Sequence, residues 1–147
     1  MVRAYVQRAR AEGAAATQRR LIEAARSLLI SGDVPSLELA EVAEQAGVAR
    51  STIYLSFGTR SAFMTRILDD SLTRAGFGLL REYFVLPDAV EALDKTLAQT
   101  AVMYSREHAV LRRMLILAQL DPDVARDYSL EQVVGVRSPH GLEDVPR

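Results

Sequence analysis

A short segment, residues 50–55, concentrates the side chains of this sequence that could recognise another molecule through directed contacts. It supplies a guanidinium group, two aliphatic hydroxyls, a phenol and two apolar side chains. A guanidinium can bind guanine through two hydrogen bonds, hydroxyls can bind bases or phosphates, and an apolar group can contact the methyl of thymine. This combination suits the surface of duplex DNA. The candidate contact residues are Arg50, Ser51, Thr52, Tyr54 and Leu55.

The elements predicted to position this segment are two short helices joined by a tight turn within residues 39–57. Gly47 interrupts the apolar spacing of the first helix, and glycine adopts positive φ without a Cβ clash just past a helix end. With Ile53 directed inward, a period of 3.6 residues per turn directs Ser51 and Leu55 outward. Such a helix-turn-helix can place its second helix in a major groove. The predicted turn and core residues are Ala43, Gly47, Val48, Ile53 and Phe57.

A plain helical hairpin with a polar solvent face is the alternative interpretation of these residues. Single exposed leucines are common on protein surfaces, so Leu55 alone does not exclude it. The spacing of a small residue at Ala43, a turn glycine at Gly47 and an inward Ile53 nevertheless favours DNA binding.

Composition restricts the other classes of function. The 147 residues include no cysteine, which excludes disulfides and cysteine-ligated zinc and suits a reducing cytoplasm. No apolar run approaches the roughly 18 residues of a membrane span, and the arginine-rich N-terminus lacks the apolar region of a signal peptide. We therefore expect a cytoplasmic protein without membrane contact.

Charge is distributed unevenly along the chain. Residues 1–66 hold nine arginines against six acidic residues, whereas residues 67–147 hold nine basic against thirteen acidic residues. A basic N-terminal half and an acidic C-terminal half suit a molecule that places one end on phosphate.

Catalysis has little support in the sequence. The histidines are His108, which we place at a helix junction, and His140, and no acid pair comes with a matching basic or metal-ligating partner. No glycine-rich phosphate loop occurs. We interpret Asp69 and Asp70 as helix-surface charges, and Arg112 and Arg113 as solvated. We expect no enzyme, no cofactor and no metal site.

Helical periodicity along the rest of the chain predicts an all-α fold. Gly76 interrupts the helix that follows the motif, and a later helix from about residue 89 to 106 carries an apolar stripe. A further segment, residues 108–120, is apolar nearly all round between Met114 and Leu120 and is predicted to be buried in a core or an interface. A short helix is expected from 121 to about 128. The predicted N-caps are Thr17, Ser36, Thr59 and Asp88.

The runs TQRRLIEAARSLL and VAEQAGVARSTIYLSFGTRSAF resemble the DNA-binding domain of the tetracycline-repressor-like (TetR) family of bacterial regulators. The resemblance extends from Thr17 to about Ile67. Its most specific part is an apolar-Ala pair, an Ala-Gly-Val turn, a tyrosine, a phenylalanine three residues on and a basic residue three beyond that. Arg60 stands where the family usually has lysine, and Glu38 where it usually has threonine or serine.

The resemblance implies a homodimeric transcription factor, most often a repressor, that binds a palindromic duplex operator with one recognition helix per half-site. Ligand binding in an all-α C-terminal domain would release the operator. It assigns base or backbone contacts to residues 50–52 and phosphate contacts to Tyr54 and Arg60, with Ser36 as a further candidate. It also implies a pocket for a small apolar ligand, although core packing is the alternative for each candidate. These are Phe77, Tyr83, Leu97, Met103, Tyr104, Met114 and Leu117.

The expected domain division follows from the resemblance and the periodicity together. We expect a flexible basic arm at 1–16, a helix-turn-helix domain at 17–66, an incomplete ligand-binding and dimerisation domain at 67–128, and an irregular tail at 129–147. The alternative function is a protein-interaction module without productive DNA binding. It would pair with a longer relative or with itself through the apolar face of residues 110–120.

Overall fold

The computed structural model describes residues 2–32 and 36–120, with side chains from residue 7 onward. These ranges form six helices and no strand, which confirms the all-α fold class. The predicted helix at 121–128 and the tail at 129–147 lie outside the described residues. The helices are α1 (Val2–Ser31), α2 (Leu39–Gln45), α3 (Ser51–Phe57), α4 (Arg60–Arg74), α5 (Phe77–Tyr83) and α6 (Ala89–Leu120).

One apolar core joins α1, α2, α3 and α4 to the C-terminal half of α6. Leu21 of α1, Ile53 of α3 and Phe63 of α4 are completely buried in it. Burying each such side chain contributes roughly 1.5–3 kcal/mol relative to leaving it in water. From α6, the core takes Val110 and Met114 at the same helical face. The first four helices, called the head below, and the end of α6 therefore form one packed body.

The first helix is longer than the sequence predicts. We predicted its start at Thr17, but α1 begins at Val2, so residues 2–16 are helical rather than a separate arm. The Thr17 hydroxyl does not cap; it donates to the Gly13 carbonyl at 3.0 Å, one turn back along the helix. Alanine has the highest helix propensity of all residues, and four of the residues 11–16 are alanine.

Of the three other predicted helix caps, two are confirmed and one is wrong. The Thr59 hydroxyl accepts from the Ala62 backbone N–H at 3.0 Å, and the Asp88 carboxylate accepts from the backbone N–H groups at the start of α6 at 2.9 Å. Ser36 caps nothing, because α2 begins only after Glu38. The Ser36 hydroxyl instead donates to the Glu38 carboxylate at 3.0 Å.

The predicted interruption at Gly76 separates α4 from α5. Gly76 has φ +74°, in the left-handed region that favours glycine. The Gln99 amide of α6 donates to the Ala75 and Gly76 carbonyls at 3.0 and 3.2 Å, so α6 closes the end of α4. A Cβ atom at Gly76 would lie 2.6 Å from the Gln99 amide nitrogen. The left-handed turn favours glycine, and a side chain at this position would also displace the Gln99 amide.

The predicted junction near His108 is wrong, since α6 runs unbroken for 32 residues. His108 is exposed in the middle of the helix. The physical reason is that the segment from Ala89 to Leu120 contains neither glycine nor proline, the residues that interrupt helices most strongly.

The two halves of α6 have opposite surroundings. In the N-terminal half, the predicted apolar stripe is left uncovered by the described residues: Val90 is 78% exposed, and Leu93 and Leu97 are each 61% exposed. In the C-terminal half, Met114 and Leu117 are buried against the head. The face at 110–120 that we predicted for self-pairing is therefore largely occupied within the chain.

Candidate nucleic-acid interface

The turn between α2 and α3 is built from backbone hydrogen bonds around a left-handed glycine. Gly47 has φ +65°, its N–H donates to the Glu44 carbonyl at 3.0 Å, and the Val48 N–H donates to the Ala43 carbonyl at 3.0 Å. Ala43 is buried in the same core as Ile53 of α3. This turn ends α2 and directs the chain into the second helix of the motif.

The exposed face of α3 carries the predicted contact side chains. Arg50, Ser51 and Tyr54 are exposed, and Leu55 is 85% exposed, whereas Ile53 on the opposite face is fully buried. Thr52 is half-buried on the flank. The structure therefore presents a guanidinium, hydroxyls and a large apolar side chain on one outward surface.

The first turn of α3 is tight and places Arg50 at its N-terminal end. The Thr52 N–H donates to the Ala49 carbonyl at 2.9 Å, and the Ile53 N–H donates to the Arg50 carbonyl at 3.1 Å. Arg50 has right-handed helical dihedrals and directly precedes the first residue of α3. In helix-turn-helix proteins, this end of the second helix meets the base edges.

Neighbouring helices hold α3 at its other end. The Gln18 amide of α1 donates to the Ser56 carbonyl at 2.9 Å. The rings of Phe57 and Phe63 lie 4.7 Å apart between centroids, at an interplanar angle of 47°. Tilted ring pairs of this kind contribute about 0.5–1.5 kcal/mol beyond area burial. The orientation of the candidate DNA-binding surface is thus fixed by α1 and α4.

Two further predicted contact residues flank α3. Arg60 is the first residue of α4, directly after the Thr59 cap, and is half-buried. Ser36 is exposed ahead of α2 and bonded to Glu38. Their proposed phosphate contacts remain predictions.

An internal ion cluster is a feature that sequence reasoning missed. Arg26 of α1 is only 7% exposed, and its guanidinium donates to the Ser71 hydroxyl of α4 at 2.5 Å. The same guanidinium lies 2.8 and 3.0 Å from the two carboxylate oxygens of Glu107 of α6, itself 6% exposed. Asp70 of α4 lies 3.7 Å from the Arg26 Nε. Our interpretation of Asp70 as a simple surface charge was therefore wrong.

A signal for this cluster exists in the sequence. Arg26 lies four residues after the inward Ile22, and Glu107 lies three before the inward Val110. Each charge therefore interrupts an apolar helix face, where an ion requires a partner of opposite charge. Two such interruptions of opposite sign indicate a buried pair.

The cluster continues to the surface through Arg74. The Arg74 Nε lies 2.6 Å from the Asp70 carboxylate, and its guanidinium also bonds to Glu23 of α1. The hydrogen bond that Arg74 donates to the Asp70 carboxylate raises the pKa of Arg74 above its already high ordinary value, because it stabilises the charged form. The charges of α1 and α4 therefore alternate in sign along their contact.

Arg113 differs from its predicted solvated state. It is half-buried, and its guanidinium donates to the Gly32 carbonyl just past the end of α1 at 2.5 Å. A cation is favourable there because helix C-termini carry partial negative charge. Arg112, in contrast, is exposed.

The predicted ligand-pocket residues fall into separate environments. Met114 and Leu117 are buried in the core that joins α6 to the head, whereas Leu97 and Tyr104 are more than half exposed. Leu97 and Met114 are about 25 Å apart along one straight helix. The prediction that the full set of residues lines one pocket is therefore wrong. The half-buried members are Phe77, Tyr83 and Met103.

A cavity beside the contact between Arg113 and Gly32 is too small for a ligand. Leu117, Leu28 and Leu37 line an enclosed space of about 40 Å³. Ligand pockets usually measure roughly 300–1,000 Å³. Within the described ranges, no three His, Asp or Glu residues are grouped so that they could hold a metal ion.

A left-handed glycine turn presents the polar face of a second short helix, and helices on both sides hold that helix in place. This arrangement is the helix-turn-helix of DNA-binding domains. Residues 21–67 match the family model described as "Bacterial regulatory proteins, tetR family". This match confirms the resemblance for that segment, which is similar to the DNA-binding domain of the family. No curated protein and no solved structure matches the chain. None of the described helices has the length and apolar character needed to cross a membrane.

Proposed function

We propose that this protein is a cytoplasmic transcriptional repressor that binds a palindromic operator as a homodimer and leaves it when a small apolar ligand binds. The observation that carries the DNA-binding part is the outward face of α3 within a tetR-family domain. Arg50, Ser51 and Leu55 are exposed there, opposite the buried Ile53. One α3 enters the major groove at each half-site.

The exposed side chains of α3 make different contacts with DNA, according to their chemistry. Arg50 reads guanine through its donor fork, and Leu55 contacts a thymine methyl. Ser51 and Thr52 bond to bases or phosphates, and Tyr54 bonds to phosphate. Phosphate contacts supply most of the affinity, so binding weakens as salt rises.

The homodimer is supported by the apolar stripe of α6, which the described residues leave uncovered. Large exposed apolar surfaces on a folded protein usually mark an interaction site. A second copy covering Val90, Leu93 and Leu97 would remove three large side chains from water. Release by a ligand rests on the family match alone, with Phe77, Tyr83 and Met103 as the remaining candidate contacts.

The same stripe also favours the alternative function, a protein-interaction module without productive DNA binding. In that case α6 would pair with another protein, and the α3 face would select no sequence. The two functions make opposite predictions for one experiment.

The test is selection from a random duplex DNA library by the purified full chain, followed by light scattering of the complex. We expect enrichment of an inverted repeat whose half-sites lie about one helical turn apart or a multiple of it, with two chains per duplex. Recovery of unselected sequence would overturn the repressor proposal. A monomer that selects a single half-site would overturn the dimer.

A further inference from the structure

The first half of α1 is a helix without described neighbours. Residues 7–16, called the α1 extension below, are all exposed. The extension continues the packed half of α1 but gains no packing of its own, and most helical stability in proteins comes from tertiary packing. A partner surface would stabilise the extension. The composition of the extension indicates the chemistry of that surface.

The extension leaves the head beside the candidate DNA-binding surface. At its base, Gln18 donates to the Ser56 carbonyl at the end of α3. An open cavity of about 510 Å³ is lined there by residues of α1, the end of α3 and the start of α4, including Gln18, Thr59 and Ala62. Arg60, a predicted phosphate contact, directly follows Thr59 of this cavity, so the base of the extension lies beside that end of α4.

The side chains along this part of α1 are basic. Arg8 and Arg10 are exposed on the extension, and Arg19 and Arg20 are exposed at its base. Arg8 makes an exposed pair with Glu12 at 3.4 Å, and exposed pairs of this kind contribute little. No described residue forms an ion pair with Arg10, Arg19 or Arg20.

We propose that the α1 extension lies along the phosphate backbone of the DNA that flanks each half-site. This inference rests on the proposed DNA-binding function. The ten residues span about 15 Å, or about four base pairs at 3.4 Å each. Arg8 and Arg10 bind phosphates outside the sequence that α3 reads. These contacts add affinity and salt dependence without changing which bases are selected.

The experiment compares two duplexes that contain the selected operator, one with about ten base pairs beyond each half-site and one that ends at the half-sites. The test variant is the double substitution Arg8→Gln and Arg10→Gln. The control is Arg81→Gln with Arg106→Gln, which removes the same charge from exposed sites on α5 and α6. Thermal unfolding checks that both variants fold like the wild-type protein.

On the long duplex, we expect the test variant to bind at least about tenfold more weakly, with a salt dependence reduced by about 0.9 in log–log slope for each lost contact. The wild-type protein and the test variant should bind the short duplex equally, and the control should bind both like the wild type. An unchanged slope on the long duplex, or an equal loss on both, overturns the inference while operator selection by α3 stands. Failure of the wild-type protein to bind either duplex overturns the proposed function as well.

Discussion

Arg50 and Arg26 are the same side chain in opposite surroundings. Arg50 is exposed at the start of α3, and its donors face solvent, where a DNA base can accept hydrogen bonds from them. Arg26 is buried between α1, α4 and α6, and its donors are directed to Ser71 and Glu107 within the chain. A buried ion must be satisfied internally, whereas an exposed one contributes little to stability. The comparison separates a residue proposed for recognition from a residue that holds α6 on the head.

The largest predicted effect comes from breaking the buried pair. Arg26→Met leaves the Glu107 carboxylate buried without its cation, and we expect the free energy of unfolding to fall by about 3–5 kcal/mol. Chemical denaturation measures this loss.

The matched control for Arg26 combines Arg26→Met with Glu107→Leu. Replacing both ions by apolar groups of similar volume is often neutral, so the double variant should recover most of the lost stability. A single variant that loses less than about 1 kcal/mol would show that the pair is hydrated rather than buried.

An intermediate effect, on binding instead of folding, is expected at Arg50. Arg50→Ala removes the donor fork at the end of α3, and operator affinity should fall by about 1–3 kcal/mol. The free energy of unfolding should change by no more than about 0.5 kcal/mol, as at other exposed sites. Gel shifts and denaturation measure the two quantities. Unchanged operator affinity would show that Arg50 is not part of the interface. A large loss of stability would show that it has a structural role.

A smaller effect, on both stability and operator affinity, is expected at Gly47. Gly47→Val forces a β-branched residue to φ +65°, at a cost of about 1–2 kcal/mol. No atom lies within 4 Å of the added Cβ, so the cost is conformational rather than steric. Melting temperature and operator affinity should fall together because the turn positions α3. Gly47→Asn, which tolerates this conformation better, should lose less. Melting curves that coincide for Gly47→Val and wild type would contradict this.

Local patterns predicted most turns and caps because these features depend on residues close in sequence. The turn at Gly47, the caps at Thr59 and Asp88 and the break at Gly76 each follow from contacts within a few residues. The outward direction of Ser51 and Leu55 follows from the helical period once Ile53 is placed inward. The start of α1 was misplaced because exposed alanine-rich sequence carries no apolar periodicity to mark it.

The sequence by itself thus determined which segments are helical near the motif, where they turn and which face of α3 is polar. Only the tertiary structure decided that Arg26 meets Glu107, 81 positions away, and that the head covers the end of α6 but not its beginning. Both halves of α6 carry apolar residues at helical spacing. A stripe shows that a face can be buried, but whether it is buried depends on which distant helices reach it.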